Sequence, residues 1–220
     1  MGKLVDFLSG TKILEEVISP INGKISVIKS LAFGTYIQVG GLTQSGGVVY
    51  DVWHTTLKKV RGQRLEVRKC LILGLAGGST AKLVRKFWGE EVEITGVDLD
   101  PVMVKMGKKY LGLDEYKVKV NIVDAYDYVN KSQFQIPNFK FDLILVDLYI
   151  GDEFPEKFES ENYIRLVRTV LASDGIVVFN RLYYGEKRKE AMKFGKILEK
   201  IFEKVDIVFP EANVMFICYK

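Results

Sequence analysis

The chain has 220 residues, of which 48% are hydrophobic and 27% charged, a composition that indicates a folded globular protein and excludes a disordered one. At this length one large domain with a small appendage is expected. The 32 Lys and Arg against 28 Asp and Glu leave a net charge of +4, too small an excess to imply a nucleic-acid partner. Charged residues interrupt the apolar N-terminus, so neither a signal peptide nor a membrane span is expected, and a cytoplasmic protein is predicted.

Residues 1–60 are predicted to form an N-terminal segment. Short β-rich stretches at 25–30 and 35–44, joined around Gly34, indicate a small β-meander, and a helix is predicted from about Val48 to Val60. A basic stretch follows, and no aromatic residue interrupts it on which a nucleic-acid base could stack. We interpret it as a solvated charged surface; its basic residues are Lys58, Lys59, Arg61, Arg64, Arg68 and Lys69.

Residues 61–220 are predicted to form an α/β domain. Continuous apolar runs, typical of strands covered on both faces, alternate with helical segments; the runs lie at 70–75, 92–99, 118–124, 141–148 and 175–182. This alternation predicts a doubly wound, mostly parallel sheet of seven strands. Only Glu211 and Ala212 separate the last two strands, which must therefore form an antiparallel hairpin. The whole arrangement resembles the class I methyltransferase variant of the Rossmann fold.

A turn of small residues, Gly74 to Thr80, follows the first strand of this domain and opens a helix. Small residues let the backbone approach a ligand closely, so Gly74, Ala76 and Gly78 are candidate cofactor-binding positions. A tight strand-to-helix turn that binds nothing is the alternative.

Carboxylates follow the next two strands. Asp98, with Leu99 beside it, is predicted to accept hydrogen bonds from the ribose hydroxyls of a nucleoside, and Asp100 before Pro101 is predicted to cap a helix. Asp124, followed by Ala125, is placed to accept from an adenine amino group, with a helix cap as the alternative. Ligands of open α/β sheets bind at this edge, so the turn and the carboxylates together predict a nucleoside site.

The chain resembles the spermidine synthase family from about Ile25 to the C-terminus, through LILGLAGGSTAKLV, TGVDLDPVMV, VNIVDAYDYV and FDLILVDLY. The resemblance implies a fold that binds S-adenosylmethionine or its decarboxylated form, without a metal. It implies that Gln44, Asp98 and Asp124 bind the nucleoside and that Asp147 is the catalytic carboxylate. A strand-end carboxylate that merely holds a loop is the alternative for Asp147.

The chain departs from the family pattern where the amine is handled. Gly77 stands at the position of an Asp, Trp53 at that of a Tyr, and Ile150 at that of a second carboxylate. The acidic segment 151–161 is either a solvated loop or a lid that draws in a cationic acceptor, with Asp152 or Glu153 replacing the lost carboxylate. Three further residues are expected to face the acceptor, although a lone histidine is as often merely packed: Trp53, His54 and Tyr149.

Because these groups are missing, the sequence favours methyl transfer to a small acceptor, which needs little beyond positioning. Aminopropyl transfer to an amine is the second hypothesis, and nucleoside binding without catalysis is the third. A homodimer is compatible with the sequence.

Overall fold

The computed structural model describes residues 10–63, 66–135 and 140–220. Residues 1–9, on which part of the expectation about a signal peptide rests, and Arg64 of the basic stretch lie outside the described residues. Within the described chain no helix is long and apolar enough to cross a membrane.

A small antiparallel sheet comes first and contains four strands in the order of the chain, β1 (Thr11–Ser19), β2 (Gly23–Ser30), β3 (Gly34–Val39) and β4 (Leu42–Gly46). The predicted β-meander is therefore confirmed, although its first strand was not predicted. β1 lies at the edge of this sheet and leaves Lys12, Glu15 and Ile18 partly or fully exposed. Its charged residues are typical of a solvated segment, so the hydrophobic pattern does not predict this strand.

The larger unit alternates helices and strands as predicted. Its elements are α1 (Gly47–Arg61), β5 (Lys69–Leu73), α2 (Ser79–Trp88), β6 (Glu93–Asp98), α3 (Pro101–Leu111), β7 (Lys119–Ile122), α4 (Ala125–Gln135), β8 (Phe141–Val146), α5 (Glu161–Val170), β9 (Leu171–Leu182), α6 (Lys187–Ile201), β10 (Lys204–Val208) and β11 (Asn213–Tyr219). Short 3-10 helices lie at Leu113–Tyr116 and Glu156–Phe158.

The seven strands of the larger sheet are ordered β10-β11-β9-β8-β5-β6-β7. β9, β8, β5, β6 and β7 are parallel, whereas β11 runs antiparallel to both of its neighbours. The C-terminal hairpin and the fold class, an α/β fold with a methyltransferase-like mixed sheet, are thereby confirmed. β9 begins at Leu171, four residues earlier than predicted, because Leu171 already pairs with Phe141 across an irregular register.

Both faces of the larger sheet are buried, which explains why its strands are apolar without alternation. Leu71 and Ile144 pack into one core, while Cys70 and Leu143, the residues before them, pack into the other. Cys218 is buried and, like Cys70, a free thiol.

Helix α1 buries Val52, Trp53 and Leu57 in the same core as Cys70 and therefore packs on the larger sheet. The small sheet instead packs on α3, where a third core is formed by Ile25, Val27, Ile37, Val39, Met103 and Met106. The division of the chain into residues 1–60 and 61–220 stays a prediction.

Candidate functional site

A cavity of about 480 Å³ opens at the carboxyl ends of the parallel strands, beneath the small sheet. Its walls come from the ends of β5, β6, β8 and β9, the start of β11, strand β4, and the segment after β8. The cavity lies where ligands bind to open α/β sheets.

The glycine turn is shaped by two close approaches of the backbone. Gly74 has φ 89°, and a Cβ placed on it would lie 2.0 Å from the carbonyl oxygen of Asp147. Ala76 has φ 47°, a left-handed conformation that is unusual for a residue with a side chain, and its N–H donates to Asp98 Oδ2 at 2.7 Å. Gly74 and Ala76 both line the cavity.

The amides of the turn are largely used within the protein. The N–H groups of Gly74 and Leu75 donate to Val97, and that of Gly78 donates to Leu75. The turn is therefore not the open row of N–H groups that cradles a phosphate. Gly78 does not line the cavity; it precedes α2 with φ 91°, and a Cβ there would lie 2.6 Å from Leu113.

Asp98 ends β6 and presents a carboxylate held by backbone donors. Oδ2 accepts from Ala76, and Oδ1 accepts from the N–H of Asp100 at 2.8 Å. Burial raises the pKa of Asp98 to about 6, against the effect of these hydrogen bonds. Leu99, the next residue, is 42% exposed and forms part of the cavity wall.

Asp100 caps α3, as predicted, since its Oδ1 accepts from the N–H of Val102 at 2.8 Å. Its Oδ2 also accepts from the Ser19 hydroxyl and from Asn22 Nδ2, the latter at 2.7 Å. This buried carboxylate therefore joins the small sheet to the rim of the cavity.

Asp124 caps α4, which is the alternative given for it, and its role toward an adenine stays a prediction. Its Oδ1 accepts from the N–H of Tyr126 at 2.8 Å in the first turn of α4, and its Oδ2 pairs with Lys157 Nζ. Asp124, Lys157 and the buried Ala125 all line the cavity.

Asp147 follows β8 and is held by two side-chain donors. Trp53 Nε1 donates to its Oδ2 at 2.7 Å, and Asn180 Nδ2 donates to its Oδ1 at 2.8 Å. Asn180 Oδ1 accepts in turn from Asn213 Nδ2 at 2.7 Å, which extends the chain of contacts to β11. Burial raises the pKa of Asp147, while the two hydrogen bonds favour its ionised form.

Two more predicted residues line the cavity. Gln44 Nε2 donates to the carbonyl of Gly151 at 3.0 Å and so ties β4 to the segment after β8. The Tyr149 hydroxyl accepts from the N–H of Leu182 at 2.7 Å, and burial raises the pKa of this phenol.

The structure does not bring His54 into the cavity. Successive residues of a helix are rotated by about 100°, so that α1 turns His54 toward α2 while Trp53 faces Asp147. The His54 ring stacks on Tyr50 at 6.0 Å, and its Nε2 lies 3.3 Å from Lys86 Nζ. Trp53 is fully buried and acts on the cavity through its hydrogen bond to Asp147 rather than by lining it.

Asp152 and Glu153 also lie outside the cavity lining. Asp152 pairs with Lys187 at 3.3 Å, and Glu153 forms a backbone bridge to Ile150 that turns the chain back. The acidic segment is thus attached at its start by Lys187, and at Gly151 by Gln44.

Among the cavity residues that the sequence analysis does not predict, four polar ones bear most on the chemistry, Asn180, Lys157, Asn213 and Glu211. Asn180 is a polar residue inside the apolar run of β9, a signal that could have been found, and Lys157 is the one cation of the acidic segment 151–161. Asn213 and Glu211 lie at the hairpin turn, where no motif marks them. Among the described residues, the carboxylates that line the cavity are Asp98, Asp100, Asp124, Asp147 and Glu211, against the single cation Lys157.

The mixed sheet with its antiparallel last hairpin, and the cavity at its carboxyl edge, define a protein of the class I methyltransferase fold. The Spermine/spermidine synthase domain matches residues 51–217, and the chain belongs to that family.

The polyamine aminopropyltransferase 1 of Hyperthermus butylicus is 28% identical over 199 residues, 86% of this chain and 65% of that protein. The chain thus spans less than two thirds of that relative's length. Spermidine synthase from Thermotoga maritima superimposes with a TM-score of 0.76 at 18% identity, over 95% of this chain and 73% of that one. Human methyltransferase-like protein 13 in complex with SAH superimposes with a TM-score of 0.63 at 20% identity, over 78% and 81%. These structures share the fold.

We expect Trp53→Phe to lower the free energy of unfolding by about 1.5 to 3 kcal/mol at neutral pH, because it leaves a buried carboxylate one donor short. The Trp53 donor stabilises the ionised form of Asp147. The decrease in the free energy of unfolding is therefore largest where Asp147 is ionised, and it becomes smaller as the pH falls and Asp147 is protonated. Urea denaturation from about pH 8 down to about pH 4, near the ordinary pKa of an aspartate, measures this, with Trp88→Phe on α2 as the control. A loss that is the same at every pH would contradict the role given to Trp53.

Proposed function

We infer that the protein transfers an aminopropyl group from decarboxylated S-adenosylmethionine to an amine. The observation that carries the proposal is the charge of the cavity, where five carboxylates face one ammonium among the described lining residues, and that ammonium is paired with Asp124. The decarboxylated compound has two positive charges and no carboxylate, whereas S-adenosylmethionine has a carboxylate for which the lining residues of the described chain offer no unpaired cation. The polyamine aminopropyltransferase relatives also support aminopropyl transfer over methyl transfer, whereas the sequence alone favours methyl transfer.

The residues of the cavity suit the nucleoside part of such a compound. Asp98 retains lone pairs beyond its two backbone hydrogen bonds, with which it accepts from the two ribose hydroxyls. Asp124 accepts from the adenine amino group, and the apolar walls on either side of the base come from Val97, Leu99, Val123, Ala125 and Phe158. The adenosine therefore lies over the ends of β6 and β7.

We assign the nitrogen of the acceptor to Asp147. In the sheet it lies between the nucleoside side, at β6 and β7, and the side formed by β9 and β11. When bound, the sulfonium compound supplies an electrophilic carbon next to sulfur. Asp147 takes a proton from the acceptor nitrogen, whose lone pair forms the new C–N bond while the C–S bond breaks and leaves its electron pair on the neutral thioether.

The raised pKa of Asp147 favours this proton transfer. A carboxylate with an ordinary pKa is a weak base toward an ammonium group, whose pKa is much higher. Burial raises the pKa of Asp147 and so narrows the difference between the two pKa values. Trp53 and Asn180 fix both oxygens of the carboxylate, so that its remaining lone pairs have a defined direction.

The products of two parallel incubations test the proposal. The protein is mixed with 1,4-diaminobutane and either decarboxylated S-adenosylmethionine or S-adenosylmethionine, and mass spectrometry distinguishes an added aminopropyl group from an added methyl group. We expect the aminopropyl product with the decarboxylated compound. A methylated amine as the main product would contradict aminopropyl transfer and support methyl transfer.

In the same assay we expect Asp147→Asn to lower kcat by about 10² or more, because it keeps the shape of the side chain and removes the base. His54→Ala is the matched control and should leave kcat within about twofold, since His54 lies outside the cavity. Loss of turnover in His54→Ala with turnover retained in Asp147→Asn would reverse these roles.

Binding of methylthioadenosine should weaken as the pH falls through about 6, the pKa of Asp98. The ribose hydroxyls favour the ionised carboxylate, so protonation of Asp98 competes with binding, by up to about tenfold in affinity for each pH unit. Calorimetric titration from about pH 8 to about pH 5 measures this. Asp98→Asn should bind more weakly at neutral pH and show a flat profile; a flat profile in the unaltered protein would contradict the ribose assignment.

A further inference from the structure

The turn between β10 and β11 brings a carboxylate to the cavity that no sequence motif marks. Glu211 lines the cavity together with Asn213 of the same turn and Leu182 and Tyr184 at the end of β9. It is exposed, and within the described part of the chain its side chain has no hydrogen bond or ion pair. A carboxylate in this position is free to receive a cationic ligand.

The backbone of Glu211 is held in a conformation that costs free energy for a residue with a side chain. Its φ is 50°, in the left-handed region where glycine or asparagine is usual. The hairpin around it is firmly fixed, since Tyr183 N–H donates to the Ala212 carbonyl at 2.7 Å and Asn213 N–H donates to Pro210 at 3.0 Å. Glycine would suit this turn better, so a charged residue here, at the wall of the cavity, indicates a function for its charge.

The order of the strands places Glu211 on the acceptor side of Asp147. β11 lies two strands from β8, a separation of roughly 10 Å, and on the side away from Asp98 and Asp124. The Asp147–Asn180–Asn213 chain of hydrogen bonds spans this interval. A short acceptor with one nitrogen at Asp147 therefore extends its other end toward Glu211.

The other candidate positions for a second carboxylate on this side are not available. Ile150, where the resemblance places a carboxylate, is an apolar residue 41% exposed in the cavity wall. Asp152 pairs with Lys187, and neither it nor Glu153 lines the cavity. On the side of Asp147 formed by β9 and β11, Glu211 is the one carboxylate among the described lining residues.

We propose that Glu211 binds the distal ammonium group of a short diamine acceptor and thereby selects diamines over monoamines. The proposal rests on the proposed function, in which Asp147 receives the reacting nitrogen. Glu211 does not touch the reacting atoms, so its loss raises KM for the diamine and leaves kcat at saturation nearly unchanged.

The test compares 1,4-diaminobutane with 1-aminobutane as acceptors in Glu211→Gln and Glu211→Gly. Glutamine keeps the size of the side chain, and glycine suits the left-handed backbone, so Glu211→Gly should fold with an unchanged or higher Tm. Glu203→Gln removes the same charge at the far end of the same hairpin and is the control. We expect KM for the diamine to rise roughly tenfold in both Glu211 variants, with KM for the monoamine and all values of Glu203→Gln unchanged.

Two results would overturn the role of Glu211 while leaving aminopropyl transfer intact. One is an unchanged KM for the diamine in both variants, and the other is an equal rise for the diamine and the monoamine, which would indicate a general effect of charge.

A calorimetric titration of 1,4-diaminobutane into protein saturated with methylthioadenosine covers the case in which no transfer is detected. Diamine binding that is lost in Glu211→Gln but kept in Glu203→Gln would support the site and reject the transfer reaction. Absence of diamine binding in the unaltered protein would overturn the site as well.

Discussion

The contact between Gly74 and the backbone of Asp147 sets the geometry of the whole site. Because Gly74 has no side chain, the carbonyl of Asp147 lies where a Cβ would otherwise be, and the ends of β5 and β8 come together. The same approach joins the two halves of the cavity, the glycine turn on one side and the carboxylate that follows β8 on the other. Trp53 and Asn180 then fix that carboxylate, and burial makes it a stronger base.

The departures from the family pattern have physical consequences that the structure makes visible. A side chain at Gly77 would begin 2.7 Å from Leu111 and 2.9 Å from Ile37, so the packing of the small sheet and α3 fills the space that an Asp would need. Trp53 keeps a donor directed at Asp147. The negative charge of the cavity is maintained by other residues, among them Glu211 at the hairpin turn. The proposed preference for cations therefore does not depend on carboxylates at the positions usual in the family.

Much of the fold, and several of the carboxylates that line the cavity, could be predicted because local sequence signals mark them. The apolar runs of the parallel strands and the carboxylates at their ends, Asp98 and Asp124, are readable from the order of the chain alone. The rest depends on tertiary contacts: the rotation of α1 decides that Trp53 and not His54 serves the cavity, and the attachment of the acidic segment turns Asp152 away from it. A turn of few residues, like that at Glu211, has no periodicity to interpret.

We propose that the cavity selects a sulfonium nucleoside without a carboxylate. The most direct test is calorimetric titration of the unaltered protein with decarboxylated S-adenosylmethionine and with S-adenosylmethionine at equal pH and salt. We expect the decarboxylated compound to bind at least about tenfold more tightly, because its net charge is more positive and no carboxylate of its own must lie among those of the cavity. Equal affinities, or tighter binding of S-adenosylmethionine, would contradict it.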